Sequence, residues 1–161
     1  KLSAEHKTTI RDTWPLISHS LQDNGIVVFE KIFEVSPSIR TVFAASFGFP
    51  ASPIPDAYEL SRASNLRDHV TRFMQAVGWS VQHMDDLDTV TTVFVNLGKR
   101  HIHLKSLEPD FFRVFSGALM YVWRSTIGPD LFTAEVRGAW CKLFEFMLQH
   151  LAHGYNQAKQ A

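Results

Sequence analysis

Two histidines stand where a histidine is costly. His101 shares a helical stripe with Phe94, Leu97 and Leu104, and His69 shares one with Leu66 and Phe73, so both imidazoles point into apolar space. A buried polar group without a partner costs about 1–3 kcal/mol, a sizeable part of a domain's stability margin. One inward histidine is ordinarily explained by a hydrogen bond to a backbone carbonyl. Two weaken that explanation, because they lie 32 positions apart, on consecutive long helices with a reversal between them. Such residues meet only across a gap between helices. Neutral imidazole ligates iron, and iron held in a planar tetrapyrrole has two axial positions, one of which needs a histidine while the other can take a second. A haem lying flat in that gap accounts for both residues. Zinc fits less well: His101 and His103 diverge on a helix, and no third Cys, Asp or Glu completes a tight cluster.

The elements that must hold this pair read as an all-α chain of about eight helical segments, with no run of period-two alternation between them. Ser3 caps a first helix bearing Ile10, Trp14, Ile17 and Leu21, in which Pro15 predicts a kink or an early break. Asp23-Asn24-Gly25 marks a turn or a reset of the helix. A second helix turns Phe29, Ile32 and Phe33 to one side, and Ser36-Pro37 opens a short third one as N-cap and first helical residue. Residues 47–56, with three prolines and Gly48, form an irregular crossover within the domain. The helix from Ser61 to His83 buries Leu66, Val70, Phe73, Val77, Val81 and Met84, and the next, after Asp85-Asp86, places Val90, Phe94, Leu97, His101 and Leu104 inward. Pro109 opens a helix with Phe112, Phe115, Leu119 and Val122 inward, ended by Gly128-Pro129. Thr133 caps the last, with Val136, Trp140, Leu143, Met147 and Leu151 on its inner face.

The totals narrow the class. The 161 residues suit a single domain spanning 1–161 with flexible ends. Thirteen Phe and four Trp against three Tyr make an unusually non-polar aromatic set, as a large apolar lining requires. Sixteen basic residues balance sixteen acidic ones, so no positive field draws the chain to nucleic acid or an anionic membrane. No apolar run approaches the roughly 20 residues that span a bilayer, and a soluble, cytoplasmic protein is the expectation. A single cysteine, Cys141, excludes an internal disulfide. It reads as buried and inert, and the absence of Cys-x-x-Cys-His excludes the usual covalent haem linkage. No P-loop, Gly-x-Ser-x-Gly or His-Glu-x-x-His motif offers another chemistry.

Across nearly its whole length the chain resembles the globin family. The resemblance rests on Trp14 in the first helix, Pro37 six residues before Phe43, His69, Leu97 four residues before His101, and Trp140 in the last helix. Within the family it is most similar to neuroglobin-like and globin X-like proteins, through Val28-Phe29-Glu30-Lys31-Ile32-Phe33, Leu66-Arg67-Asp68-His69 and Leu97-Gly98-Lys99-Arg100-His101. The resemblance implies a globin fold round non-covalent haem b, with His101 the proximal ligand and His69 the distal histidine. It implies Phe43 packed on the haem face, Phe29 and Phe73 as distal walls, and Leu97, Leu107 and Phe115 lining the proximal side. Phe73 departs from the smaller aliphatic residue common there and narrows the room for an external ligand. The stretch 47–55 differs too. Arg72, three residues after His69, and Arg100, His103 and Lys105 beside His101 are candidates to hold the propionates. Phe33, Phe94, Phe144 and Phe146 read as ordinary core, and His150 and His153 as surface residues.

The function expected is reversible binding of dioxygen or another diatomic gas, and two versions stay open. In one, His69 donates a hydrogen bond to the bound gas; in the other, favoured by Phe73 and the neuroglobin-like resemblance, His69 itself ligates iron. A bis-histidyl iron suits oxygen or redox sensing, or electron transfer to a redox partner protein, better than bulk storage. The rivals are a five-coordinate oxygen carrier or storage globin, a haem redox enzyme (nitric oxide dioxygenation or nitrite reduction) and a haem-free regulatory domain. An enzyme of that kind needs a reductase that this chain does not contain.

Overall fold

The structure, a computed structural model, describes residues 1–48, 64–104 and 110–161. These residues form seven α-helices: α1 (Ala4–Ser18), α2 (Leu21–Val35), α3 (Pro37–Phe47), α4 (Ser64–Gln82), α5 (Leu87–Arg100), α6 (Phe111–Ile127) and α7 (Ala134–Gln160). One turn of 3₁₀ helix, His101–His103, follows α5 directly. The expected starts at Ser61 and Pro109, and the crossover from residue 49 on, lie outside the described residues.

The caps act as their chemistry dictates. Ser3 Oγ accepts from the His6 N–H at 3.1 Å while His6 Nδ1 accepts from the Ser3 N–H at 3.1 Å, so two donors at the start of α1 are satisfied reciprocally. Ser36 Oγ accepts from Ile39 N–H with Pro37 at the first helical position, and Thr133 Oγ1 accepts from Val136 N–H at 3.3 Å.

Three local expectations change. Helix α1 continues through Pro15 for one more turn and stops at Ser18, so Leu21, expected on the inner face of the first helix, instead opens α2. Pro15 and Arg11 are exposed, so the Arg11 carbonyl that the proline leaves unpaired faces water. Asp23-Asn24-Gly25 is not a loop turn but lies within the first two turns of α2. Gly25 is there for contact, since a Cβ would stand 2.6 Å from Val70 Cγ1 and 2.7 Å from Met74 Cγ. Phe47 is the last residue of α3, and the chain leaves the helix only at Gly48, in a left-handed conformation with φ 72°.

The core has two aromatic districts. At one end Trp140 and Trp123, both fully buried, lie 5.4 Å apart with Trp14 at 6.0 Å from Trp140, joining α1, α6 and α7. Trp140 Nε1–H donates to Thr13 Oγ1 at 2.8 Å, which disposes of a buried donor. At the other end Phe29, Phe33, Phe43 and Phe115 gather round the histidines. The most extensive pairing is α5 with α7. It is close because Gly98 and Gly154 face the opposing backbones: a Cβ on Gly98 would overlap the Leu151 carbonyl oxygen, and one on Gly154 the Val95 carbonyl oxygen. That crossing fixes α5, and hence where His101 emerges. Cys141 is half-exposed, not buried, with its thiol donating to Glu145 at 3.5 Å. Phe146 is only partly buried, against His150.

Candidate functional site: two facing imidazoles

Helix α5 ends at Arg100, so His101 caps it and opens the 3₁₀ turn. Its Nδ1 lies 2.6 Å from the Leu97 carbonyl oxygen. A carbonyl only accepts, so Nδ1 carries the proton, and Nε2 is left unprotonated with its lone pair free. Leu97 thus contributes through its backbone, while its side chain packs partly buried on the core. Tyr155 Oη–H donates to the Leu104 carbonyl at 3.1 Å and pins the chain just after the turn.

His69 projects from α4 opposite His101, their ring centres 6.0 Å apart and their planes at 68°. Neither nitrogen of His69 has a hydrogen-bond partner among the described residues. Its ring is walled by Phe47 at 5.1 Å, Phe29 at 5.8 Å and Phe43 at 5.8 Å. Phe29 is the hub, edge-on to Phe43, Phe73 and Phe115 at 5.7, 5.6 and 5.7 Å. Phe73 is half-buried beside the site while Met74 takes the fully buried core position expected of it. Between the histidines and these rings lies an enclosed space of about 30 Å³, completed by Leu104, Phe112, Leu148 and Leu151.

The electrostatics favour neutral imidazoles. Loss of solvation lowers the His69 pKa from 6.5 to about 4, helped by the charges of His101, Arg72 and His103. Desolvation also lowers that of His101, against the opposing pull of the Leu97 carbonyl. Both shifts favour the neutral ring at neutral pH, the form that binds a metal.

Arg72 is exposed on α4 but close enough to bear on His69. His103 is exposed, its Nδ1 donating to the Arg100 carbonyl at 2.6 Å and its ring 6.3 Å from that of His101. Arg100 is exposed as well. Lys105 and Leu107 lie outside the described residues. The sequence reading missed Phe47, Leu104, Phe112, Leu148 and Leu151. Phe47 was findable, four residues after Phe43 on the same helix face.

An arrangement of helices that brings two neutral imidazoles to 6.0 Å between ring centres inside an aromatic shell offers the donors that a planar metal cofactor needs. The Globin family model matches residues 27–151. Zebrafish (Danio rerio) neuroglobin is 30% identical over 155 residues, covering 96% of this chain and 93% of the relative. Zebrafish cytoglobin-2 is 29% identical over 148 residues, covering 92% and 79% respectively. In fold the chain is similar to a hexacoordinated haem protein from an anhydrobiotic tardigrade, with a TM-score of 0.83 at 17% identity and 96% of each chain covered. The chain belongs to the globin family, and membership implies a haem.

The donor set fits that group. An imidazole nitrogen bonds a transition metal at about 2 Å and lies about 1 Å from its own ring centre, so two imidazoles on opposite sides of one ion have centres about 6 Å apart. The angle between their planes is free, because each plane contains the shared axis. The space of about 30 Å³ is much smaller than a tetrapyrrole, so its lining must move to seat one. Among the described residues, no helix is long and apolar enough to cross a membrane.

Proposed function

We propose that this globin holds haem b non-covalently with histidine at both axial positions, His101 proximal and His69 distal, and that dioxygen or another diatomic gas binds by displacing His69. The observation that carries this reading is the 6.0 Å between the two ring centres, which is the spacing expected of two imidazoles sharing one metal ion and supports ligation by both. When bound, the iron supplies reversible ligand binding and one-electron redox chemistry.

The chain's own residues set the terms. Leu97 holds the His101 ring by its Nδ1–H and fixes Nε2 as the ligand atom. His69, with no such anchor among the described residues, is the member that can leave. Phe29, Phe43 and Phe47 exclude water from it. Arg72 and His103 stand at the exposed side, where they can meet the propionates. A gas must compete with an intramolecular ligand, so its apparent affinity falls by the fraction of open state. Such a site suits oxygen or redox sensing, or electron transfer, better than bulk storage.

The test is the visible spectrum of the purified protein, oxidised and then reduced without oxygen, beside a His69→Ala variant. Sharp alpha and beta bands in the reduced wild type, absent from the variant, are expected. A single broad band in the reduced wild type sinks the bis-histidyl reading in favour of an open sixth site.

A further inference from the structure

A groove of about 630 Å³ opens on the far side of α6 from the histidines, where α6 and α7 converge at their connecting corner. Helix α6 is two-faced here. Phe115, Leu119 and Val122 are buried, while Gly117, Met120, Tyr121 and Arg124 face the groove. Across it stand Phe132 from the corner and Arg137 from the first turns of α7.

The charges are one-sided. Arg124 and Arg137 come from different helices, no carboxylate lines the groove, and neither arginine is in an ion pair among the described residues. By contrast Lys7, Arg11 and Lys31 each find an acid. The chain is neutral overall, so this is a local concentration of positive charge and not part of a general field. The rest of the lining is largely apolar. Met120 and Phe132 are half-buried, and the Tyr121 ring is backed by Lys31 at 4.3 Å from its centre. Gly117 sits within α6, where glycine weakens a helix, yet among the described residues nothing lies within 4 Å of where its Cβ would be. No packing inside the chain calls for it, and its effect is to leave the groove floor open.

We propose that this groove binds a small amphipathic organic anion, with Arg124 and Arg137 pairing with one carboxylate or phosphate head and the Met120–Phe132 side taking an apolar body. Two guanidinium groups suit a single bidentate anionic head. The groove is open, with six of its eight lining residues exposed, and its volume is several times what an inorganic ion fills, so it has room for a short apolar tail lying along it. The site uses neither histidine, so it stands or falls independently of the iron ligation.

Octanoate titrated into the haem-loaded protein is the probe, followed by calorimetry and by backbone amide shifts, with acetate, inorganic phosphate and octanol as comparators. Saturable octanoate binding is expected, with shifts centred on Gly117, Arg124 and Arg137 and the haem absorption unchanged. Acetate, phosphate and octanol should each bind at least tenfold more weakly. Arg124→Gln/Arg137→Gln should weaken octanoate at least tenfold, and Gly117→Leu, whose side chain has open space to enter, should block it while leaving the fold intact by circular dichroism. Undiminished binding in the double variant overturns the proposal. So does acetate or phosphate binding as tightly as octanoate, or a response confined to the haem absorption.

Discussion

The two histidines differ in their hydrogen bonding, and the proposed roles rest on that difference. His101 is held by the Leu97 carbonyl at 2.6 Å, whereas His69 has no hydrogen bond among the described residues. Replacing each should therefore give different phenotypes. His101→Ala is expected to lose haem on gel filtration, while His69→Ala retains it; equal retention by both variants, read as haem per polypeptide, would remove the asymmetry. A second residue-scale prediction concerns Trp140, whose buried indole N–H is satisfied by Thr13 among the described residues. Thr13→Val keeps the shape and removes the acceptor, so about 1–3 kcal/mol of stability should disappear from a urea unfolding curve. A loss below about 0.5 kcal/mol would mean that the indole finds another partner. Trp140 was readable in the sequence as a landmark. Thr13, lying 127 positions away, was not, because helical spacing reports the face a residue occupies and not its partner on another helix.

At the scale of the elements, caps and stripes were legible because they are local: Ser3, Ser36 and Thr133 each start a helix as their side chains predict. Glycines were less legible, because the same residue serves opposite ends. Asp23-Asn24-Gly25 has turn composition, yet Gly25 admits Val70 and Met74, and that is visible only once α2 and α4 are packed. Gly98 and Gly154 do the same for the α5–α7 crossing, which the sequence reading did not foresee. The glycines consequently make paired predictions of opposite sign. Gly98→Ala must push α5 off the Leu151 carbonyl, at a cost of about 1–3 kcal/mol or more, and should disturb the haem spectrum because His101 ends that helix. Gly117→Ala and Gly138→Ala meet nothing within 4 Å and should each raise stability by about 0.5–1 kcal/mol with the spectrum unchanged. Thermal melts and spectra of the three variants decide it. Stabilisation by Gly98→Ala would show that the close crossing is not what it is taken to be.

For the molecule as a whole, the site makes stability depend on pH in a direction that can be fixed. In the unfolded chain His69 titrates at its ordinary value of 6.5, and in the folded chain at about 4, because protonation would place a charge among Phe29, Phe43 and Phe47 near Arg72. Between those values the unfolded state binds more protons, so the stability of the fold rises with pH from about 4 to 6.5 and is lost as the pH falls through that window. His101, also lowered, acts in the same sense. The carboxylates of Asp85, held down by Lys7 and Arg11, and of Asp86, held down by Thr89, contribute below their ordinary 3.8, so they enter only after the histidines. On the proposed ligation, a proton would have to displace the metal from His69, which strengthens the histidine effect and moves the transition to lower pH. The urea midpoint of the haem-free protein should therefore fall between pH 6.5 and 4, and fall less steeply in His69→Gln, which has nothing to protonate there. In the haem-loaded protein, acid should open the sixth position before the chain unfolds, seen as loss of the sharp bands ahead of the change in helical circular dichroism. Identical slopes for wild type and His69→Gln would mean that the acid sensitivity lies elsewhere in the molecule.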